Sequence, residues 1–134
     1  MDNLELINLA KEVKKNAYVP ITNFKVGAAV LCDDNSVYTG TNVEELALPA
    51  MSICAERNAL QSAFSAGKRK FLKIAVVGGK DTEIDKTLIP CGMCLQYIID
   101  MCEDIKIVCY MNGEIIEKNV SEFLNFEYRF EKEN

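Results

Sequence analysis

The chain has 134 residues, 49% of them hydrophobic and 26% charged, with a formal net charge of −5. That length fits a single domain, 1–134, whose core needs no disulfide staples, and the acidity argues against a nucleic-acid partner. Histidine is absent, which excludes every imidazole-based scheme, Ser-His-Asp and Cys-His pairs included.

Residues 3–17 place Leu4, Ile7, Ala10, Lys11 and Lys14 at helical spacing, with Leu6, Leu9 and Val13 beside them, and predict an amphipathic helix on a sheet face. Pro20 and Asn23 mark a loop. The apolar, small-residue run Phe24 to Cys32 reads as a buried strand. Asp33-Asp34-Asn35 is turn chemistry, and Ser36 to Asn42 predicts an antiparallel partner. Residues 43–51 form a loop containing Pro49, and Ser52 is the expected N-cap of a helix from Ile53 to Ala66 that Gly67 ends. Residues 71–79 give a third strand, and Lys80 to Thr87 a polar connection. Pro90 suits the start of a helix from Cys91 to Cys102. Residues 105–110 and Glu114 to Glu117 read as a hairpin about Asn112-Gly113, and Ser121 to Leu124 as a short final helix. This order, α-β-β-α-β-α-β-β, predicts a three-layer α/β domain around a mixed sheet of five strands.

No apolar run approaches the ~20 residues needed to cross a bilayer. The N-terminal stretch mixes acids and lysines and lacks a signal-peptide core. A cytoplasmic protein without a membrane partner is expected, and there six cysteines are free, metal-bound or catalytic rather than paired. Cys32, Cys102 and Cys109 lie in apolar runs and read as core.

Two stretches carry the chemistry, Cys54-Ala55-Glu56 and Pro90-Cys91-Gly92-Met93-Cys94. A lone Cys91-x-x-Cys94 is either redox-active or half of a zinc site. It follows the third predicted strand, later than a thioredoxin-like motif would, and no second CxxC completes a closed structural site. Cys54, also at a helix start, supplies a third sulfur if the two helices lie side by side. Three ligands and an open fourth position describe a catalytic zinc, whose water ionises near neutral pH. Helix N-termini favour the thiolate form, Arg57 can donate to a sulfur, and Glu56 is close enough to move protons without being a ligand. Taken singly, Cys54 reads as a core thiol and Glu56 as a solvated helix acid; the joint pattern is what points to a site.

That pattern matches the [HC]-x-E…P-C-x-x-C signature of zinc nucleobase deaminases, and the chain resembles the small homotetrameric cytidine deaminases over nearly its whole length. The resemblance implies one zinc per chain on Cys54, Cys91 and Cys94. It makes Glu56 the proton carrier between the metal-bound water, ring N3 and the leaving ammonia, as cytidine or deoxycytidine becomes its uracil product in pyrimidine salvage. Thr22 to Ala29 resembles the family's Ser-x-Phe-x-Val-Gly-Ala-Ala, which assigns Phe24 to the base. Asn42-Val43-Glu44 matches the Asn-x-Glu clamp on the sugar's 3′-hydroxyl. Ala55 offers backbone groups to the base, and Arg57 offsets thiolate charge. A homotetramer is implied, with the aromatic 123–130 stretch packing between subunits.

Two departures stand out. The linker 45–53 lacks the family's usual Asn-Ala-Ser-Tyr-Gly and brings Cys54 one residue later, and Leu95 replaces the usual arginine after the last ligand. The C-terminal half, with Pro-Cys-Gly-Met-Cys and Met111-Asn112-Gly113, is also similar to the blasticidin S deaminases. Modified cytosine nucleosides therefore stand as an alternative substrate. A non-catalytic zinc-stabilised domain and a dithiol redox protein are the alternatives to an enzyme of this kind.

Overall fold

The computed structural model describes residues 1–124 and residue 128; of the 123–130 stretch expected at a subunit contact, 125–127, 129 and 130 lie outside the described residues. The elements are α1 (Asn3–Lys14), β1 (Lys25–Cys32), β2 (Val37–Thr41), α2 (Ala55–Ser65), β3 (Phe71–Gly79), α3 (Gly92–Cys102), β4 (Lys106–Met111) and β5 (Glu114–Asn119). Short 3-10 turns occupy Pro49–Met51 and Val120–Glu122, the latter in place of the expected final helix. The expected order of helices and strands holds throughout.

The sheet runs β2-β1-β3-β4-β5. Strand β1 is antiparallel to both neighbours, β3 and β4 are parallel, and β4 and β5 form an antiparallel hairpin. A parallel pair needs a crossover, which α3 supplies. The hairpin turns at Asn112 (φ 53°) and Gly113 (φ 83°), the paired positive dihedrals of a type I′ turn.

Helices cover both faces of the sheet. Against one face α2 and α3 bury Ala59, Leu60, Ala63 and Ile98 on Val30, Ile74, Val76 and Ile107. Against the other, α1 buries Leu6, Ile7 and Ala10 on Ala29, Leu31, Ala75, Val77 and Val108. Leu4 and Leu9, read from the sequence as part of the α1 apolar surface, face outward. The α1 start is set by a capping box, in which the Asp2 carboxylate accepts from the Glu5 N–H at 2.8 Å while Glu5 accepts from the Asp2 N–H. Cys32, Cys102 and Cys109 are buried in the packed layers, as expected.

Helix α2 begins later than its sequence predicts. Ser52 is not its cap: the Ser52 hydroxyl accepts from the Glu45 N–H at 2.8 Å. Ile53 and Val43 exchange two backbone hydrogen bonds of 3.0 Å in an isolated bridge. That bridge holds residue 53 extended, so Cys54 becomes the N-cap. Close seating of α2 on the sheet depends on Gly40, where a Cβ would collide with the Ala59 backbone nitrogen and stand 2.8 Å from the Asn58 carbonyl carbon.

Candidate active site

Two helix starts converge to make the site. Cys54 caps α2 and Cys91 caps α3, each with extended backbone and neither spending its side chain on a cap hydrogen bond. Cys94 stands on the third position of α3 and Glu56 on the second of α2. The helix N-termini place partial positive charge beside all four groups. The sulfurs of Cys54, Cys91 and Cys94 lie within 4.8 Å of one another. Cys91 is exposed, Cys54 half-buried and Cys94 buried, so the cluster opens to one side.

The electrostatics follow from that crowding. The Arg57 guanidinium donates from Nη2 to Cys54 Sγ at 3.6 Å. A hydrogen bond from the Cys94 thiol, helped by Arg57, draws the Cys54 thiol down to about 5, while that same shared proton and, after it, burial push Cys94 up. Glu56 is 4% exposed. Burial pushes its carboxyl up to about 7, and the Cys54 thiolate adds to the rise.

A cavity of about 160 Å³ lies beside these groups, lined by Cys54, Ala55, Glu56 and Cys91 together with Val26, Asn42, Leu88 and Ile89. Asn42 is braced across the end of β1: its Oδ1 accepts from the Val26 N–H at 2.9 Å, and its Nδ2 donates to the Phe24 carbonyl at 2.8 Å. Phe24 flanks the cavity beside Val26 and Leu88; all three side chains converge on the space above Gly78. Glu44 is outside the lining. Its Oε1 accepts from the Ile21 and Thr22 N–H groups at 2.9 and 3.1 Å, and its Oε2 from the Thr22 hydroxyl at 2.7 Å. It ties down the loop that presents Phe24. Val26, Leu88 and Ile89 are lining residues that the sequence reading missed, and their only signal was position, two residues after Phe24 and immediately before Pro90.

The donor set fits one zinc ion. Tetrahedral thiolate ligands about 2.3 Å from a common ion stand about 3.8 Å apart, within the spread of this cluster. As metal ligands all three sulfurs are thiolates and carry three negative charges, of which Arg57 offsets one, with its own Nε buried and unpartnered among the described residues.

Comparison with known proteins agrees. Residues 1–111 match the family described as the cytidine and deoxycytidylate deaminase zinc-binding region. The chain belongs to this family. A cytidine deaminase from Halalkalibacterium halodurans is 41% identical over 126 residues, 92% of this chain and 92% of that protein. The crystal structure of cytidine deaminase from Burkholderia pseudomallei superposes with a TM-score of 0.84 at 38% identity, covering 96% of this chain and all of that one. A blasticidin-S deaminase from Bacillus cereus is 28% identical over 130 residues, 94% of this chain and 91% of that protein. Leu95, where the resemblance leads one to expect an arginine, belongs to the core: at 5% exposure it packs with the apolar residues under α2 and α3. Among the described residues Arg57 is the guanidinium left to the sulfurs.

Proposed function

We propose that this chain is a zinc-dependent hydrolase that replaces the exocyclic amine of cytidine or deoxycytidine with oxygen. The carrying observation is Glu56, a buried carboxyl beside a three-sulfur cluster and facing a small cavity. A zinc on Cys54, Cys91 and Cys94 supplies Lewis acidity that makes hydroxide available at neutral pH. Glu56 takes a proton from the attacking water, passes one to ring N3 and delivers another to the departing amine. The C4–O bond forms, the C4–N bond breaks, and ammonia leaves. A carboxyl near 7 is suited to giving and taking a proton at neutral pH.

The remaining assignments follow the cavity. Its 160 Å³ falls below the 300–1,000 Å³ of sites that enclose a whole drug-sized ligand. It suits a pyrimidine ring, with the sugar at the mouth. Ala55 opens α2 with a backbone N–H that has no intrahelical partner and can reach the base. Phe24 packs beside the ring. Asn42 keeps a second amide hydrogen for the sugar's 3′-hydroxyl, and Glu44 adds its carboxylate or orients the loop beside it.

The linker that leads into Cys54 carries Leu46, Leu48 and Met51, whose side chains are 60–68% exposed. Those exposed apolar side chains support two further readings: burial against a neighbouring copy in a homotetramer, and contact with a modified cytosine nucleoside such as blasticidin S. Among the described residues no helix is long and apolar enough to cross a membrane; a single domain working in the cytoplasm is part of the proposed reading. The test is an ultraviolet absorbance assay on cytidine, deoxycytidine, 5-substituted analogues and blasticidin S. Turnover of cytidine or deoxycytidine is expected; a flat trace on the whole panel from folded, zinc-loaded protein overturns the reading.

A further inference from the structure

The cavity beside the sulfurs has a larger counterpart among the described residues. A second cavity of about 470 Å³ lies on the opposite face of the sheet, between α1 and the 80–87 segment, within the size range of sites for small organic ligands. Five lysines line it (Lys11, Lys14, Lys15, Lys25 and Lys86) against two carboxylates, Asp81 and Glu83. In a chain of net charge −5 this is a local reversal of sign.

Much of that positive charge is uncompensated. Lys25 pairs with Asp81 at 3.3 Å and Lys86 with Glu83 at 3.1 Å, while Lys15 turns to Glu12 at 3.0 Å. Lys11 and Lys14 have no carboxylate partner among the described residues. Lys11 donates to the Tyr110 hydroxyl at 2.8 Å, a neutral acceptor, and Lys14 reaches only the Lys80 carbonyl at 3.5 Å. Burial lowers the Lys14 pKa, against the opposing pull of the Asp81 and Glu83 carboxylates, which lie near it without pairing.

We propose that this cavity is a binding site for a small phosphorylated molecule. Lysine ammonium groups bind phosphate as point charges, and two of them stand here without a paired carboxylate among the described residues. Val77 and Ile84, also in the lining, give an organic portion an apolar wall. A walled cavity in an acidic protein suits a small anion and not a nucleic-acid backbone, which needs a basic stripe. The site also has a route to the other face: Asp81, Glu83, Ile84 and Lys86 line it, and Leu88 and Ile89 of the same connection line the cavity beside Glu56.

The test is calorimetric titration of the zinc-loaded protein with pyrophosphate, uridine monophosphate and uridine triphosphate, with uridine as the phosphate-free control. Uridine compounds lack the exocyclic amine, so deamination does not interfere. Saturable binding of a phosphorylated probe is expected, one per chain, with Kd below about 1 mM. Lys14→Gln and Lys11→Gln should each weaken it about tenfold or more, leave cytidine turnover in the absence of phosphate unchanged, and contrast with Lys118→Gln, on β5 outside the lining, which should bind normally. Bound ligand should slow amide exchange across 81–86. If Lys14→Gln melts early, Lys11→Gln decides. No saturable binding up to about 10 mM, or an equal loss in Lys118→Gln, overturns the proposal. So does a larger oligomer that binds no probe and loses mass in Lys14→Glu, because the cavity is then closed by a second copy.

Discussion

Glu56 combines two costs that a purely structural residue would avoid. A carboxyl at 4% exposure forfeits its hydration, and the neighbouring Cys54 thiolate repels its charged form. Its place in the first turn of α2 offsets part of this, and the proton traffic proposed for it accounts for the rest. Glu56→Gln keeps the shape and removes the titration. It should retain about one zinc per chain by elemental analysis while losing roughly 10²–10⁴-fold or more in cytidine turnover; wild-type turnover would show that the proton moves by another group. Cys91→Ala should lose metal and activity together, because it removes a ligand rather than a proton carrier. These residues were legible in the sequence only jointly, as Cys-x-Glu and Pro-Cys-x-x-Cys at two helix starts in a chain without histidine, since each alone reads as core or surface. Val26, Leu88 and Ile89 were not legible, since an apolar cavity wall and an apolar core use the same residues. The Glu44 contacts were hidden for a different reason. The donors they satisfy, the backbone N–H groups of Ile21 and Thr22, carry no side-chain signature.

At the scale of elements, the active residues are placed by how α2 and α3 seat on the sheet. Strand boundaries were readable because β1 and β3 are continuous apolar runs ended by turn residues, and the Asn112-Gly113 hairpin declared itself by the one turn type that pair favours. The start of α2 was misjudged because Ser52 is a good cap by local chemistry, whereas the Val43–Ile53 bridge is a tertiary contact that no local pattern contains. That shift has a chemical consequence. It makes Cys54 itself the N-cap, with its sulfur free of any cap hydrogen bond and directed to the cluster. The seat of α2 is therefore a sensitive point, and Gly40 is its narrowest part. Gly40→Ala would drive a methyl into the Ala59 backbone, which cannot rotate away as a side chain does. We expect a loss of about 2 kcal/mol or more and a fall in Tm of about 5–10 °C by circular dichroism. Zinc affinity should weaken alongside as Cys54 moves relative to Cys91 and Cys94. An unchanged melt would mean that α2 can lift from β2 without cost, contrary to the packing described here.

Taken whole, the molecule divides its six thiols into two populations, and this division makes stability depend on pH in a definable way. Cys54, Cys91 and Cys94 gather at the helix ends, and Cys32, Cys102 and Cys109 are buried in the layers. Burial pushes the Cys102 thiol up to about 12 and the Cys109 thiol up to about 11, from an ordinary value near 9. Between about pH 9 and those values the unfolded chain releases protons that the folded chain keeps, so the unfolded state binds fewer protons and stability falls as pH rises. Each of the two thiols contributes a slope approaching about 1.4 kcal/mol per pH unit within its window, and nothing below pH 9. These two thiols add no pH dependence from neutral pH to about 9, so their signature in the urea midpoint is a fall that begins there. A Cys102→Ala/Cys109→Ala double variant should start from a lower plateau, because two buried side chains are trimmed, yet descend less steeply above pH 9. An equally steep descent in the double variant would assign the alkaline loss to other groups. Alkylation provides the second readout. With zinc removed, the native protein should label at the cluster, Cys91 first because it is exposed, and zinc should protect it. Cys102 and Cys109 should label only on unfolding, since the thiolate is the reactive species and the folded layers withhold both the ionisation and the access.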